Sequence, residues 1–396
     1  MKKRYLLIII IVIVLALAAW FFLSRSKNSP QGGTPSGGSL PSVGTQAGSG
    51  AAQNGSSSIS VFNTNATTTS SSTFGVVSNG PVASYFVDDQ GNVAVVEPDG
   101  DIAELVNGQA SSLSSSTIQN LIGATFSSNG QKVAISFGDA SNPQTSIFDD
   151  NAKTWTSLPV GATSPAWAPS GYQLAYLQQN TNGTESIMTV VVATSTVSAP
   201  STLVTLHAQD LSLVWINKNE LALTSKPSDY AEGSSLIYNI AQKTLTPMVL
   251  EEFGLETLWS KTTSSMGLAF SVNNGGSGGN LQFLDSSTGN IKNIGFLTLP
   301  TKCTFNLDAG SSSLDLYCAI PQDGNELPSA KLPEDYNEMA IFTTDSFYKV
   351  DTGTGALTQV LAPTGAYDAS DLSVFNNDLF FINRYDQKLY AIPLGE

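Results

Sequence analysis

The sequence predicts an all-β fold made of repeated four-stranded units, and three observations support this prediction. A pattern of an aromatic residue, a Ser/Asn/Gly turn and an alternating apolar strand recurs, most clearly at residues 164–177. Its copies lie at intervals of about 45 residues. Between them, short apolar runs alternate with Gly-marked turns, and no amphipathic helix of useful length is visible. Four short strands at this period are typical of a β-propeller.

The repeats predict seven blades, with six or eight as alternatives. The blades are predicted to place their first strands around Val76, Phe126, Trp167, Trp215, Trp259, Phe305 and Val374. The last unit offers only three strands, so closing the ring requires a strand from elsewhere in the chain. We expect residues 59–63, a short apolar patch before the first blade, to supply the outer strand of the last one.

Three segments precede the predicted propeller at residues 74–396. Residues 1–4 form a basic tip, and residues 5–23 form an apolar run that is long enough, as a helix, to cross a bilayer. Lys2, Lys3 and Arg4 before this run predict a cytoplasmic N-terminus and a propeller outside the cytoplasm. A retained anchor is favoured over a cleaved signal peptide because the run continues beyond the small-residue site at residues 16–18. Residues 24–73, rich in Ser, Gly and Thr, predict a flexible linker.

The charge balance excludes some classes of function. Five of the 17 basic residues lie in the first 27 positions, so the remainder carries 12 basic and 32 acidic residues, a formal charge of −20. Such a surface repels phosphate backbones, which argues against nucleic-acid binding. With His207 as the one histidine and only two cysteines, multi-histidine and Cys/His metal clusters are excluded.

Two copies of the repeat resemble a known family. Residues 125–134, T-F-S-S-N-G-Q-K-V-A, and residues 166–175, A-W-A-P-S-G-Y-Q-L-A, are similar to the W-S-P-D-G-K-x-I-A repeat of TolB-like propellers, which are WD-repeat-like. Neither copy keeps the Asp of that repeat. The resemblance implies a propeller fold and an exported binding domain, and it carries no particular partner.

Irregular loops are predicted to share one face of the propeller. They join second to third strands and each unit to the next, and the longest is the insertion at residues 321–344. Insertions on one face of a repeat protein usually mark its binding face. The candidate binding residues on these loops are His207, Asp210, Tyr230, Glu232, Glu251, Glu252, Asp323, Asp335 and Tyr336. The alternative is a solvated acidic surface without a ligand.

Other motifs do not assign a catalytic residue. The segments at residues 88–92 and 99–101 are too short for a calcium loop and favour turns, so calcium is only a weak option and no other cofactor or metal is expected. Residues 150–155 resemble the Asp-box of sialidases, but the chain lacks the arginines that would clamp a carboxylate. No G-x-S-x-G motif accompanies His207.

The two cysteines fall on the first two strands of the sixth predicted unit. Antiparallel pairing of Phe305 with Leu316 brings Cys303 opposite Cys318. Opposed Cβ atoms come within reach of a disulfide after a small local adjustment. We therefore predict a Cys303–Cys318 disulfide, with two buried thiols as the alternative.

Together these features predict a membrane-anchored propeller outside the cytoplasm, in the periplasm or at the cell surface. Its expected role is that of a protein- or glycan-binding or scaffold module. The expected partners are the membrane, through residues 5–23, and a protein or glycan on the variable-loop face. A hydrolase or lyase with an acidic axial site and a purely structural envelope protein are the alternatives, and enzymatic activity is the less favoured.

Overall fold

The computed structural model describes residues 74–395, apart from residues 117, 195, 262–264 and 308–313. This region is nearly all β; its helical elements are a 3-10 turn η1 (Pro300–Lys302) and a one-turn helix α1 (Glu334–Asn337). In the described region no helix is both long and apolar enough to span a membrane. The predicted anchor at residues 5–23, the linker at 24–73 and the apolar patch at 59–63 lie outside the described residues.

Antiparallel strands form six hydrogen-bonded sheets in the described region. The first sheet contains β2 (Ser84–Val87), β3 (Val93–Val96), β4 (Ile102–Val106) and β5 (Gln109–Ser112). The second contains β6 (Leu121–Phe126), β7 (Lys132–Asp139), β8 (Asn142–Asp149) and β9 (Thr154–Ser157). The third contains β10 (Ala162–Trp167), β11 (Gln173–Gln179), β12 (Glu185–Ala193), β13 (Thr196–Val197) and β14 (Ser201–Leu206).

The fourth sheet has seven strands: β15 (Leu211–Asn217), β16 (Glu220–Ser225), β17 (Glu232–Asn239), β18 (Thr244–Trp259), β19 (Met266–Val272), β20 (Asn280–Asp285) and β21 (Asn290–Asn293). The fifth contains β22 (Cys303–Leu307), β23 (Leu314–Pro321), β24 (Asp345–Val350) and β25 (Leu357–Leu361). The sixth contains β26 (Ala369–Phe375), β27 (Asp378–Asn383), β28 (Lys388–Pro393) and β1 (Gly75–Val76).

The long strand β18 belongs to two four-stranded arrangements. Its first part pairs with β17 and its last part pairs with β19. Between the two parts, Gly254 has a φ of 59°, a left-handed conformation that glycine adopts without steric cost. A Cβ atom at this position would lie 2.6 Å from Cγ2 of Val272, so the close packing at the bend also requires glycine.

The two ends of the described chain meet in the sixth sheet. Gly75 pairs with Ala391 and Val76 with Tyr390, and the Val77 N–H donates to the Leu389 carbonyl at 2.8 Å. Val76 is therefore not in a first strand, as the sequence predicted, but in the strand that closes the last sheet. The position expected for residues 59–63 is occupied by Gly75–Val76. Both residues of this short strand are exposed, so no burial pattern marks it in the sequence.

The first strand of the first sheet is β2, which the sequence analysis missed. Its Tyr85-Phe86 pair precedes a turn at residues 88–92, in which the Asp88 carboxylate accepts the N–H groups of Gln90 and Asn92. The segment considered for calcium is thus the Asx turn between β2 and β3. It gives the first unit the same aromatic, turn and strand order as the other units.

Successive sheets pack face to face, and their first strands, which we call inner strands, contact one another. The Trp167 indole donates to the Thr125 carbonyl at 2.9 Å, linking the third sheet to the second. Apolar clusters fill the spaces between neighbours, such as the packing of Ile102 from the first sheet with Phe148 from the second. Phe380 of the sixth sheet packs in one cluster with Val95 of the first, so the apolar contacts also join the two ends of the series.

Candidate functional site

The insertion between β23 and β24, residues 322–344, packs against loops of the fourth sheet. The Leu332 N–H donates to the Gly276 carbonyl at 2.9 Å, and the Asp229 N–H donates to Oε1 of Glu334 at 2.8 Å. Gly276 has a φ of 80°, and a Cβ atom there would lie 3.0 Å from the Leu332 nitrogen. The insertion is therefore folded against these loops and forms a wall beside them. Its backbone approaches Gly276 so closely that a side chain at that position would not fit.

A buried ionic cluster fixes the base of this wall. The Lys302 ammonium is fully buried and donates to Asp345 Oδ2 at 2.6 Å, to Asp368 Oδ1 at 2.5 Å and to Thr343 Oγ1 at 2.8 Å. Arg384 donates from Nη1 to Asp368 Oδ2 at 2.6 Å. Two cations thus balance two carboxylates at the points where β22, β24 and β26 begin. Burial lowers the pKa of Lys302, but Asp345 and Asp368 more than offset this and hold it above its usual value.

Tyr336 ties helix α1 to this cluster. Only 3% of the residue is exposed, and its hydroxyl donates to Asp368 Oδ1 at 3.1 Å. The Arg384 guanidinium lies 3.6 Å from the centre of the Tyr336 ring and donates from Nη2 to the Tyr336 carbonyl. Burial raises the pKa of the Tyr336 hydroxyl. Tyr336 was expected on the exposed binding face, but the structure buries it because α1 is anchored through this ring.

A cavity of about 300 Å³ opens beside the insertion, where first strands begin. Residues from several parts of the chain line it, including Ala83, Asn337, Met339, Ser370, Asp371 and Arg384. We call this cavity and its lining residues the axial mouth. Met339 is 42% exposed at its rim, and Tyr385, next to the lining residue Arg384, is 47% exposed. The axial mouth is accessible from solvent and has one wall made by the insertion.

Asp371 enters the axial mouth from a bulge in β26. The pairing of β26 with β27 shifts register between Ser370 and Ser373, and Asp371 has a φ of 50°. The Tyr85 hydroxyl donates to the Asp371 carbonyl at 2.6 Å and lies 2.9 Å from Oγ of Ser373. The carboxylate of Asp371 is exposed and has no hydrogen-bond or ion-pair partner among the described residues. Desolvation by the surrounding protein raises the pKa of Asp371, and the charge of Lys261 opposes this effect.

Two carboxyl groups, those of Asp229 and Glu256, lie beneath the insertion and near Glu334 of helix α1. Asp229 and Glu256 are buried, and Glu256 Oε1 accepts a hydrogen bond from Asn337 at 3.1 Å. One oxygen of each of Asp229, Glu256 and Glu334 is buried without a donor in the described region. Burial raises the pKa of Glu256 to about 7, and burial together with the neighbouring Glu334 raises the pKa of Asp229. Asp229 and Glu256 therefore take up a proton at a higher pH than exposed carboxyl groups do.

The residues predicted for the binding face are spread over several loops. His207 and Asp210 are exposed before β15, and Tyr230, 71% exposed, precedes β17. Glu232 is exposed in β17, Glu251 and Glu252 lie at the bend of β18, and Asp323 is exposed in the insertion. Asp335 accepts the Lys331 N–H at 2.8 Å within the insertion. Of the nine predicted residues, only Tyr336 lines the axial mouth.

Five charged residues of the site were not predicted from the sequence: Glu256, Lys302, Asp368, Asp371 and Arg384. Lys302, Asp368 and Asp371 share one signal, which is a charged residue immediately before or within the start of a predicted first strand. These three residues lie where the first strands of two sheets, β22 and β26, begin, which is the end of the strands that faces the axial mouth.

Cys303 and Cys318 form a disulfide at the register expected from the sequence. They are opposite residues of β22 and β23, and both are buried. The disulfide lies directly after η1, which carries Lys302. It therefore links the two strands whose ends carry the ionic cluster and the insertion.

No group of three or more His, Cys, Asp and Glu side chains that could hold a metal ion is found in the described region. Asp99 accepts the Asp101 N–H at 3.1 Å, so this second segment considered for calcium also forms a turn.

No protein-family model matches the sequence, and no curated protein matches it either. Among solved structures, an oligogalacturonate lyase in complex with manganese aligns with a TM-score of 0.55 and 11% identity over 80% of this chain and 90% of its own. An oligogalacturonate lyase from Vibrio parahaemolyticus aligns with a TM-score of 0.54 and 10% identity over 83% and 93%. TolB from Acinetobacter baumannii gives 0.40 and 12% over 67% and 64%.

These likenesses concern the fold alone, because identities near a tenth carry no information about ligands. The all-β propeller fold expected from the repeats is confirmed. Membership of the TolB-like family remains a prediction, since the TolB alignment is too loose to carry an argument. The manganese belongs to the lyase structure that was solved with it.

Proposed function

We propose that this chain is a membrane-anchored propeller outside the cytoplasm that binds a segment of a partner protein at the axial mouth. The observation that carries the proposal is the axial mouth itself, a solvent-accessible cavity of about 300 Å³ walled by a docked insertion. Ligand sites are concave, largely preformed and lined by apolar groups with a few polar ones. Residues 5–23 would supply the anchor and residues 24–73 the tether.

The proposal includes a ring of seven blades. If β18 serves as the outer strand of one blade and the inner strand of the next, the seven-stranded sheet counts as two blades. The first strands of all blades then surround one axis, and the axial mouth lies at its end. The buried cluster around Lys302 supports a preformed site, because it fixes the insertion to β22, β24 and β26 through short, charged hydrogen bonds.

Exposed side chains at the rim favour a protein segment over a glycan. Met339 and Tyr385 present apolar surface, and Phe342 stacks on Tyr385 with ring centres 5.0 Å apart. Met, Tyr, Phe and Arg are the residue types enriched in the cores of protein interfaces. A cavity at the small end of the ligand-site range also suits one or two side chains better than a polymer.

Site-directed photocrosslinking in cells tests this proposal with the full chain. A photoreactive amino acid replaces Met339 or Tyr385 at the axial mouth, and Asp89 or Ser170 on the tight turns of the opposite face serves as the matched control. We expect a discrete crosslinked product from the first pair only. Crosslinks from the turn positions alone, or none at any position, would contradict the proposed site.

A further inference from the structure

We propose that the axial mouth binds an organic cation, an ammonium or guanidinium group, at the carboxylate of Asp371. The inference rests on the proposed function for the position of the site and adds the chemical class of its ligand. It is carried by one carboxylate in a solvent-accessible cavity whose other charged lining residue, Arg384, is already paired.

The backbone presents Asp371 to the cavity. The bulge in β26 and the left-handed φ of 50° place this residue out of register with β27. The Tyr85 hydroxyl holds the Asp371 carbonyl at 2.6 Å, which fixes the strained conformation from the first sheet. The bulge and the contact with Tyr85 together place Asp371 in the lining of the cavity.

The other charged residue of the lining is unable to neutralise Asp371. Arg384 donates to Asp368 and to the carbonyls of Tyr336 and Ile341, and its guanidinium lies against the Tyr336 ring. The charge of Arg384 is already paired with Asp368 in the buried cluster, where two cations balance two carboxylates. Lys261 feels the charge of Asp371, but the described structure contains no ion pair between them. The carboxylate oxygens of Asp371 therefore have no partner among the described residues and are free to bind a ligand in the cavity.

The lining favours an organic cation over a metal ion. Among the described residues, Asp371 belongs to no group of His, Cys, Asp and Glu side chains that could hold a metal ion. Apolar surface for a methylene stem is offered by Val82, Ile382 and Met339. Further hydrogen-bond acceptors are offered by Asn337 and Ser370. A formal charge of −20 beyond residue 27 also draws cations toward this surface. Lysine and arginine side chains combine such a stem with such a head group.

The test uses the purified full chain and two probes, each with a single guanidinium group. One is N-acetyl-argininamide, and the other is a pentapeptide with blocked ends, Gly-Gly-Arg-Gly-Gly. The same peptide with citrulline in place of arginine is the neutral control. Calorimetric titration at low and at physiological salt gives the affinities. We expect the arginine peptide to bind at least tenfold more tightly than the citrulline peptide.

Variants separate the site from the general charge of the surface. Asp371→Asn tolerates the left-handed conformation and should weaken arginine binding at least tenfold, whereas Asp89→Asn on the opposite face removes one exposed charge and should leave it unchanged. Ala83→Phe keeps every charge and should block binding by filling the cavity. It also keeps the test decisive if Asp371→Asn lowers the melting temperature.

The outcomes distinguish the inference from the proposed function. Equal loss of binding in the Asp371 and Asp89 variants, or equal binding of arginine and citrulline peptides, would overturn the cation site while leaving the crosslinking test of the axial mouth intact. Tighter binding of the peptide than of N-acetyl-argininamide would support a cationic side chain of a protein segment. Equal binding of both would support a small free cation at the same site.

Discussion

The hydroxyl of Tyr85 donates a 2.6 Å hydrogen bond to the backbone carbonyl of Asp371. This bond connects the inner strand of the first sheet to the inner strand of the last. The same contact therefore links the first sheet to the last and holds the backbone of Asp371 at the axial mouth. The backbone strain at Asp371 is held by a partner that lies far away in the sequence.

Replacing Tyr85 by phenylalanine should lower the free energy of unfolding by about 1 kcal/mol, since one hydrogen bond to a carbonyl is lost. It should also weaken binding of the arginine peptide, because Asp371 is no longer held in place. Urea denaturation and calorimetric titration measure the two effects. Tyr348→Phe is the control, because the Tyr348 hydroxyl has no hydrogen bond in the described region. Unchanged binding in Tyr85→Phe would show that Asp371 does not depend on this contact.

Replacing Lys302 by methionine should lower the free energy of unfolding by about 3–5 kcal/mol. Asp345 would then lie in the interior without its cation, and an unpaired buried charge is costly. The exposed pair of Lys153 with Asp150 provides the control, and Lys153→Met should change stability by less than about 1 kcal/mol. Denaturant unfolding measures both. A loss below 1 kcal/mol in Lys302→Met would contradict the assigned role of the cluster.

Replacing Glu256 by glutamine should change the pH dependence of stability. Burial raises the pKa of Glu256 to about 7 in the folded protein, above its value in the unfolded chain. The stabilising contribution of the protonated carboxyl is complete below about pH 4.5 and is lost as pH rises to about 7. The variant should therefore gain roughly 3 kcal/mol over the wild type across this window.

Denaturant unfolding between pH 4 and 8 measures this difference. Glu338→Gln, an exposed carboxylate on the same insertion, is the control and should follow the wild type. A stability difference between Glu256→Gln and the wild type that does not vary with pH would contradict the burial of an ionisable Glu256 beneath the insertion.

Replacing Cys303 and Cys318 by serine should lower the free energy of unfolding by about 3 kcal/mol, the value that chain entropy gives for a loop of 15 residues. Thermal unfolding of the wild type with and without reductant should show the same loss. Mass spectrometry after alkylation without reductant should find no modified cysteine in the wild type. Two alkylated thiols would contradict the disulfide.

The strands that carry buried aromatic residues were predictable from the sequence, whereas the closing strand was not. Trp167, Trp215 and Trp259 mark inner strands because each buries a large ring in an apolar run. Gly75–Val76 buries neither residue and is held by backbone hydrogen bonds, which leave no side-chain pattern. The residues of the site were not predictable from the sequence for a related reason. Lys302 precedes β22 and contacts Asp368 just before β26, and only the packing of these two sheets brings the two residues together.

The rate at which a thiol at the axial mouth reacts in native membranes tests the central claim most directly. Both native cysteines are in the disulfide, so Met339→Cys introduces a single free thiol at the rim, and Asp89→Cys introduces one on the opposite face. If a partner occupies the axial mouth, maleimide should label Cys at position 339 at least fivefold more slowly in membranes than in purified protein, with no change at position 89. Equal rates in membranes and in purified protein at both positions would contradict the account.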